Sequence, residues 1–192
     1  MAPRTTKQFE AIRGKSREKI ILAAIELFSA QTYHNTSVAD ISKKAGISKG
    51  LIYNYFETKE DILNGIVEYL FSIGDQMMAE SRNDEDPKSE LRNMIQQVFQ
   101  FLHQQAHLSR MMIPLALELE SFQIINDIMK KKMEDYLGRL MLLFKEMGYE
   151  DPEMEAWTLG VLFDGVSLDY AVIGKELPIE RIGKYLYKKY EL

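Results

Sequence analysis

The chain has 192 residues, 46% of them hydrophobic and 28% charged, with a formal net charge of −5. This length holds one or two small domains around a sizeable core. Cysteine is absent, which excludes a disulfide framework, a thiolate zinc site and a cysteine nucleophile. No unbroken run of 18 or more apolar residues occurs, so no transmembrane helix is expected. The basic N-terminus lacks the apolar segment of a secretory signal, and a cytoplasmic location is expected. The charge is unevenly spread. Residues 1 to 56 carry nine Lys/Arg against four Asp/Glu, a net of +5, and the remainder has a net of −10. A basic N-terminal third on an acidic body is the asymmetry expected when one face meets phosphates.

Residues 1 to 15 are polar and basic without a periodic apolar face, and read as a flexible arm. Arg4, Lys7, Arg13 and Lys15 there suit phosphate or minor-groove contacts, with a solvated tail as the competing reading. A first helix is predicted from about Ser16 to Ala30, with Ile20, Ala23, Ala24, Leu27 and Phe28 at helical spacing. After a connection through Tyr33, His34 and Asn35, Ser37 is placed to cap a second helix, with Asp40 as its capping-box partner. Val38, Ile41 and Ala45 form that helix's apolar face, and Gly46 supplies the left-handed residue that ends it. Ser48 caps a third short helix with Leu51, Ile52, Tyr55 and Phe56 on its apolar side. Two short helices around a Gly-centred turn make a helix-turn-helix, whose second helix enters the major groove. An ordinary hairpin in a helical bundle has the same outline. The outward side of the third helix carries Lys49, Gly50, Tyr53 and Asn54, groups that reach phosphates and base edges.

The segment SKKAGISKGLIYNYFETKEDIL, from Ser42 to Leu63, resembles the DNA-binding signature of the tetracycline-repressor (TetR) family of bacterial transcription regulators. ILAAIELFSAQTYHNTSVADI, just before it, is similar to the same signature's first two helices. The resemblance spans about Ser16 to Leu63; beyond it, only length and helical pattern agree. It implies an all-α protein with a three-helix DNA-binding head at residues 1–60 and a helical ligand-binding and dimerisation body at 61–192, about nine helices in all. Phosphate contacts are expected from Thr36, Ser37, Tyr55 and Lys59, and base-edge or mixed contacts from Lys49, Gly50, Tyr53 and Asn54. The implied partners are a palindromic double-stranded DNA operator, a second copy of the chain and a small-molecule inducer, with no membrane, cofactor or metal.

Downstream, Thr58 and Asp61 form a second capping box, opening a fourth helix to about Arg82. Asp86-Pro87 suits an N-cap followed by proline in the first turn of a fifth helix. A sixth helix, from about Leu108 to Glu120, is expected to kink at Pro114. A seventh runs from about Phe122 to Met147, an eighth from Glu153 to Ile173 and a ninth from Pro178 to about Tyr190. The eighth is apolar nearly all round and reads as buried on all sides. The family resemblance places it in a homodimer, against the alternative of burial in its own subunit. The expected dimer contacts are Trp157, Gly160, Val161, Asp164 and Leu168, with Ile182, Tyr185 and Leu186 from the ninth.

An inducer pocket would combine apolar walls with a few polar anchors. The candidates are His103, His107, Arg110, Glu118, Asp164 and Asp169, with aromatic Phe99, Phe122, Tyr136, Trp157, Phe163 and Tyr170. Individually, these aromatics and the eleven methionines also fit a plain core. His103 and His107 have the i, i+4 spacing of a metal pair, but HQQAH lacks the intervening Glu of zinc peptidases, and no metal site is expected. A small helical enzyme and a non-DNA adaptor are the rival classes. No nucleophile–base pair, phosphate loop or metal motif favours the first, and no catalytic residue is expected.

Overall fold

The computed structural model describes residues 6–83, 85–105, 108–111 and 123–192. Its order is α1 (Thr6–Gln31), α2 (Val38–Ala45), α3 (Lys49–Ile52), α4 (Lys59–Ser81) and α5 (Pro87–Gln104). A helical segment α6 (108–111) follows. Then come α7 (Gln123–Glu146), α8 (Pro152–Ile173), a 3₁₀ turn at Gly174–Glu176 and α9 (Ile179–Lys189), with no strand among the described residues. His107, Phe122, Glu118 and the Pro114 kink lie outside the described residues.

The helix starts follow the caps. The Ser37 hydroxyl accepts the Asp40 N–H while the Asp40 carboxylate accepts the Ser37 N–H, and Thr58 and Asp61 repeat the exchange at α4. Asp86 and Asp151 cap α5 and α8, each followed by proline in the first turn. One boundary departs from expectation. The segment read as a flexible arm is helical from Thr6, so α1 begins ten residues before Ser16. Lys, Gln, Glu, Ala and Arg there are good helix formers, and a turn added to an existing helix needs no apolar face of its own. Among its described side chains, the Arg13 guanidinium lies 5.8 Å from the centre of the Tyr55 ring.

Two cores result. The first gathers Ile20, Ala24 and Phe28 of α1, Ile41 of α2, Ile52 and Phe56, and Ile62, Leu63 and Ile66 of α4, with Leu108 of α6. The second gathers Leu91 and Ile95 of α5, Leu143 and Phe144 of α7, Leu159 of α8, and Leu186 and Tyr190 at the C-terminus. The first half of α4 therefore belongs to the head, and Met78 near its end packs on the second core.

Between these two ends α4 is tied to α7. Lys132 grips both oxygens of Asp75 at 2.8 and 2.7 Å, and the Tyr136 hydroxyl donates to the Asp75 carboxylate at 3.1 Å. An added Cβ at position 74 would stand 2.5 Å from the Tyr136 oxygen, so a larger residue there would have to displace the phenol.

α8 is not buried on all sides. Ala156, Leu159, Val166, Tyr170 and Ala171 face the interior, whereas Trp157, Val161, Leu168 and Val172 are exposed, Val172 by 71%. Its length and mean hydropathy of 1.3 would suit a membrane span. Its inner side nevertheless packs on α5, α7 and α9 residues, which makes it a body helix with a second apolar face.

A buried ion pair joins three segments. The Arg139 guanidinium of α7 donates to both Glu90 oxygens at 2.7 and 2.6 Å, and the Asn83 N–H, in the α4–α5 connection, adds a bond of 2.8 Å. Glu90 is 1% exposed. Removing one partner strands a buried charge, so Arg139→Ala is expected to cost about 3 kcal/mol in urea denaturation at pH 7. Glu90→Gln/Arg139→Met together should cost less than Arg139→Ala alone.

Candidate nucleic-acid interface

The head presents α3 through a tight turn. Gly46 takes φ +67° and its N–H returns to the carbonyls of Ser42 and Lys43, while the Ile47 N–H bonds the Ser42 carbonyl at 3.0 Å. Ser48 then caps α3 through the Leu51 N–H. Ile52 and Phe56 are buried beneath, leaving Lys49, Gly50 and Asn54 exposed and Tyr53 46% exposed. Regular α-helix ends at Ile52, shorter than the apolar pattern to Phe56 suggested, and turns carry residues 53–55.

The expected phosphate-contacting residues divide. Ser37 is exposed, but its hydroxyl is held by Asp40 at 2.6 Å, and that bond, then the Ser37 N–H and the Lys43 charge, keeps the Asp40 carboxyl below its usual pKa. Tyr55 is half-buried beside Arg13. Thr36 is 2% exposed; its hydroxyl donates to the Thr32 carbonyl at 2.8 Å and accepts from the Gln31 amide at 3.2 Å. Its side chain is thus spent on the connection between α1 and α2.

Lys59 also differs from expectation. Its ammonium donates to the Tyr33 carbonyl at 2.9 Å and the Thr36 carbonyl at 3.0 Å, and lies 4.1 Å from the Tyr33 ring centre. A cation at a helix N-terminus is disfavoured by the helix dipole, and these carbonyls compensate it. Lys59 in this state is a brace that fixes the α1–α2 connection to the start of α4.

Sequence reading placed Arg13 in a mobile arm and so missed its pairing with Tyr55. The signal was available in the unbroken helix-forming composition of residues 6 to 13. Arg17 also lies over the Phe56 ring, at 5.4 Å, and pairs with Glu68 of α4 at 2.7 Å. Lys44 pairs with Glu26 of α1. Lys49 of α3 and Lys43, in the last turn of α2, are exposed bases beside the turn.

The described residues expected to form a pocket take different surroundings. Phe99 packs on the second core and on the Leu102–Val166–Tyr170–Ile179 cluster, against Gly183. His103 is exposed and shares a 3.0 Å hydrogen bond with the Tyr170 hydroxyl. Arg110 is exposed near Gly174. Tyr136 is engaged with Asp75, and burial followed by the Asp75 charge pushes its phenol pKa up. Phe163 packs against the second core, and Trp157 and Asp164 are exposed.

A cleft of about 370 Å³ opens between α4 and α5, lined by none of the described candidates. α4 contributes Tyr69, Ile73, Gln76, Met77 and Glu80; α5 contributes Gln97, Gln100, Phe101 and Gln104, followed by its C-cap Gln105; α6 contributes Leu108. No group of acidic or histidine side chains able to hold a metal occurs among the described residues.

Of the expected dimer contacts, Trp157, Val161, Asp164, Leu168 and Tyr185 are exposed, and Gly160 and Ile182 are half-buried. Leu186 is 1% exposed, enclosed with Leu91, Phe144 and Tyr190 in its own subunit, so it is a core residue and not an interface residue.

A capped helix pair around a left-handed glycine, with bases and amides outward and a helical body behind, defines a helix-turn-helix regulatory protein. Residues 20–66 match the profile of a family described as "Bacterial regulatory proteins, tetR family". Residues 20–66 thus form a DNA-binding domain of the TetR type. The uncharacterized HTH-type transcriptional regulator YdgC of Bacillus subtilis is 27% identical over 157 residues, 79% of this chain and 77% of that protein. The fatty acid metabolism regulator protein of the same organism is 33% identical over 116 residues, 58% of this chain and 59% of that protein. In structure the chain is similar to NalD of Pseudomonas aeruginosa, described as the secondary repressor of the MexAB-OprM multidrug efflux pump. The TM-score is 0.70 at 20% identity, over 94% of this chain and 95% of NalD, a likeness of fold.

Lys49→Ala is expected to lower the salt dependence of DNA binding by about one unit in log K against log salt, the signature of one lost phosphate contact. Lys59→Ala should instead leave that slope unchanged while weakening binding at every salt. It should also cost about 2 kcal/mol of stability, since two carbonyls lose a charged donor. A fall in slope for Lys59→Ala would return it to the phosphate contacts.

Proposed function

We propose that the protein is a dimeric repressor that binds a palindromic operator through its head and is released by a small molecule acting on its body. The division is residues 1–60 for the head and 61–192 for the body. The observation that carries the reading is the capped α2–turn–α3 unit, which holds Lys49, Gly50, Tyr53 and Asn54 outward over a closed apolar core. Phosphate contacts come from Ser37, Tyr55 and the N-terminal end of α2, and base-edge contacts from Lys49, Tyr53 and Asn54. Gly50 permits close backbone approach without side-chain readout. Relatives named as regulators, NalD among them as a repressor, support the same reading over a helical enzyme or an adaptor.

Dimerisation is supported by the outer face of α8. Trp157, Val161, Leu168 and Val172 repeat at helical spacing and are exposed, with Tyr185 of α9 exposed as well. An uncovered stripe of this kind on a body helix marks an interaction site. A two-fold pairing of such stripes presents two heads to half-sites about 34 Å apart.

Selection of bound duplexes from a random library at near-physiological salt should enrich a palindrome; no enrichment at any salt would remove the operator from the reading. Trp157→Glu/Val161→Glu should sediment as a monomer and lose most operator affinity.

Asp164 sits between Val161 and Leu168 on this stripe, and desolvation raises its carboxyl pKa. A raised acid pKa means that the ionised form costs stability: the cost is fully present above the raised pKa and is relieved as the pH falls through it.

A further inference from the structure

The α4–α5 cleft has a lining whose chemistry selects a ligand. We propose that it binds a small organic cation with an aromatic or aliphatic body. Among the described lining residues Glu80 carries the one formal charge, and none of them is Lys, Arg or His. An anion finds no counter-charge among these residues, whereas a cation finds a carboxylate already in position.

Glu80 is held in place from both sides of the cleft. The Gln76 amide donates to Oε1 at 2.7 Å and the Gln97 amide donates to Oε2 at 3.3 Å, so the carboxylate bridges α4 and α5. A carboxylate offers about four lone-pair sites, and the two amides leave the others for an incoming charge. The glutamine amides at Gln100 and Gln104 add neutral donors and acceptors that a polar tail can use.

The apolar part of the lining suits the body of such a ligand. Phe101 and Tyr69 supply ring faces, which attract cations, and Met77 adapts to irregular shapes. Desolvation, and then the charge of Glu18 in α1, push the Tyr69 phenol pKa up. Tyr69 is therefore a neutral hydroxyl donor at neutral pH, and Glu18 adds negative potential on the head side.

The cleft is also where the two halves of the protein meet. Tyr69, Ile73 and Phe101 pack against the head core, and Leu108 is one of its buried members. A ligand that parts α4 from α5 thus acts on the side chains that seat the head. This release step rests on the reading of the protein as an operator-binding regulator; the binding step does not.

The test uses the full chain and two probes of like shape and opposite charge. Tetraphenylphosphonium should bind in titration calorimetry, with tetraphenylborate bound far more weakly. Glu80→Gln should weaken the cation about fivefold, and Gln100→Glu, which adds a second negative charge to the lining, should tighten it, an increase that misfolding cannot produce. Equal binding of both probes, or cation affinity indifferent to both substitutions, overturns the site. With the selected operator, the cation should release the DNA, and about fivefold more should be needed in Glu80→Gln. Cation bound without release overturns the coupling. The DNA-binding reading stands or falls separately, on whether the chain holds an operator in cation-free buffer.

Discussion

One helix belongs to both halves of the protein, and that constraint organises the rest. A helix of the length of α4, 23 residues, is about 35 Å long. Its first turns bury Ile62, Leu63 and Ile66 against α1 and Phe56, and its last turns meet α5 and α7. A continuous hydrogen-bonded rod between two packed cores leaves no linker to absorb displacement. The position of the head is therefore set by what α4 touches in the body, through Asp75, Gly74 and the Glu80 bridge.

The head itself is fixed by small polar devices more than by apolar area. α2 and α3 have eight and four residues, below the length at which a helix is stable alone. They persist because Ser37, Asp40 and Ser48 satisfy their first N–H groups and because Ile41 and Ile52 are fully buried. The connection before α2 is closed by Thr36 from within and by Lys59 from α4. The side chains left over, on the outward side of α3, are those free to meet a duplex.

Much of this was legible in the chain. The side-chain caps at Ser37, Ser48, Thr58, Asp86 and Asp151 and the left-handed Gly46 are local devices, written in four or five consecutive residues, and each stands where its residues placed it. The start of α1 was not legible from hydrophobic pattern, because its first turns have no apolar face to betray them. The roles of Thr36 and Lys59 depended on which way a side chain turns among equally near partners, carbonyl or solvent, and spacing carries no such information. Leu186 and Trp157 show the same limit: both are apolar on C-terminal helices, but one faces its own core and the other faces out. The cleft was missed because a pocket was sought among histidines and aromatics. Its own signal was the run of glutamines at helical spacing on α5, Gln97, Gln100 and Gln104, facing Gln76 and Glu80 on α4.

The close seat of Tyr136 on Gly74 has a mechanical meaning. At that point α4 has no side chain of its own to slide or compress, so the contact serves as a fulcrum. Gly74 lies 15 residues from Lys59 and 7 from Ser81, arms of about 22 Å and 10 Å. Any tilt of α4 about Tyr136 is delivered to the DNA-binding end with about twofold gain. A displacement of half an ångström at the Glu80 end, on the order of thermal motion in a packed protein, becomes about one ångström where α3 is carried.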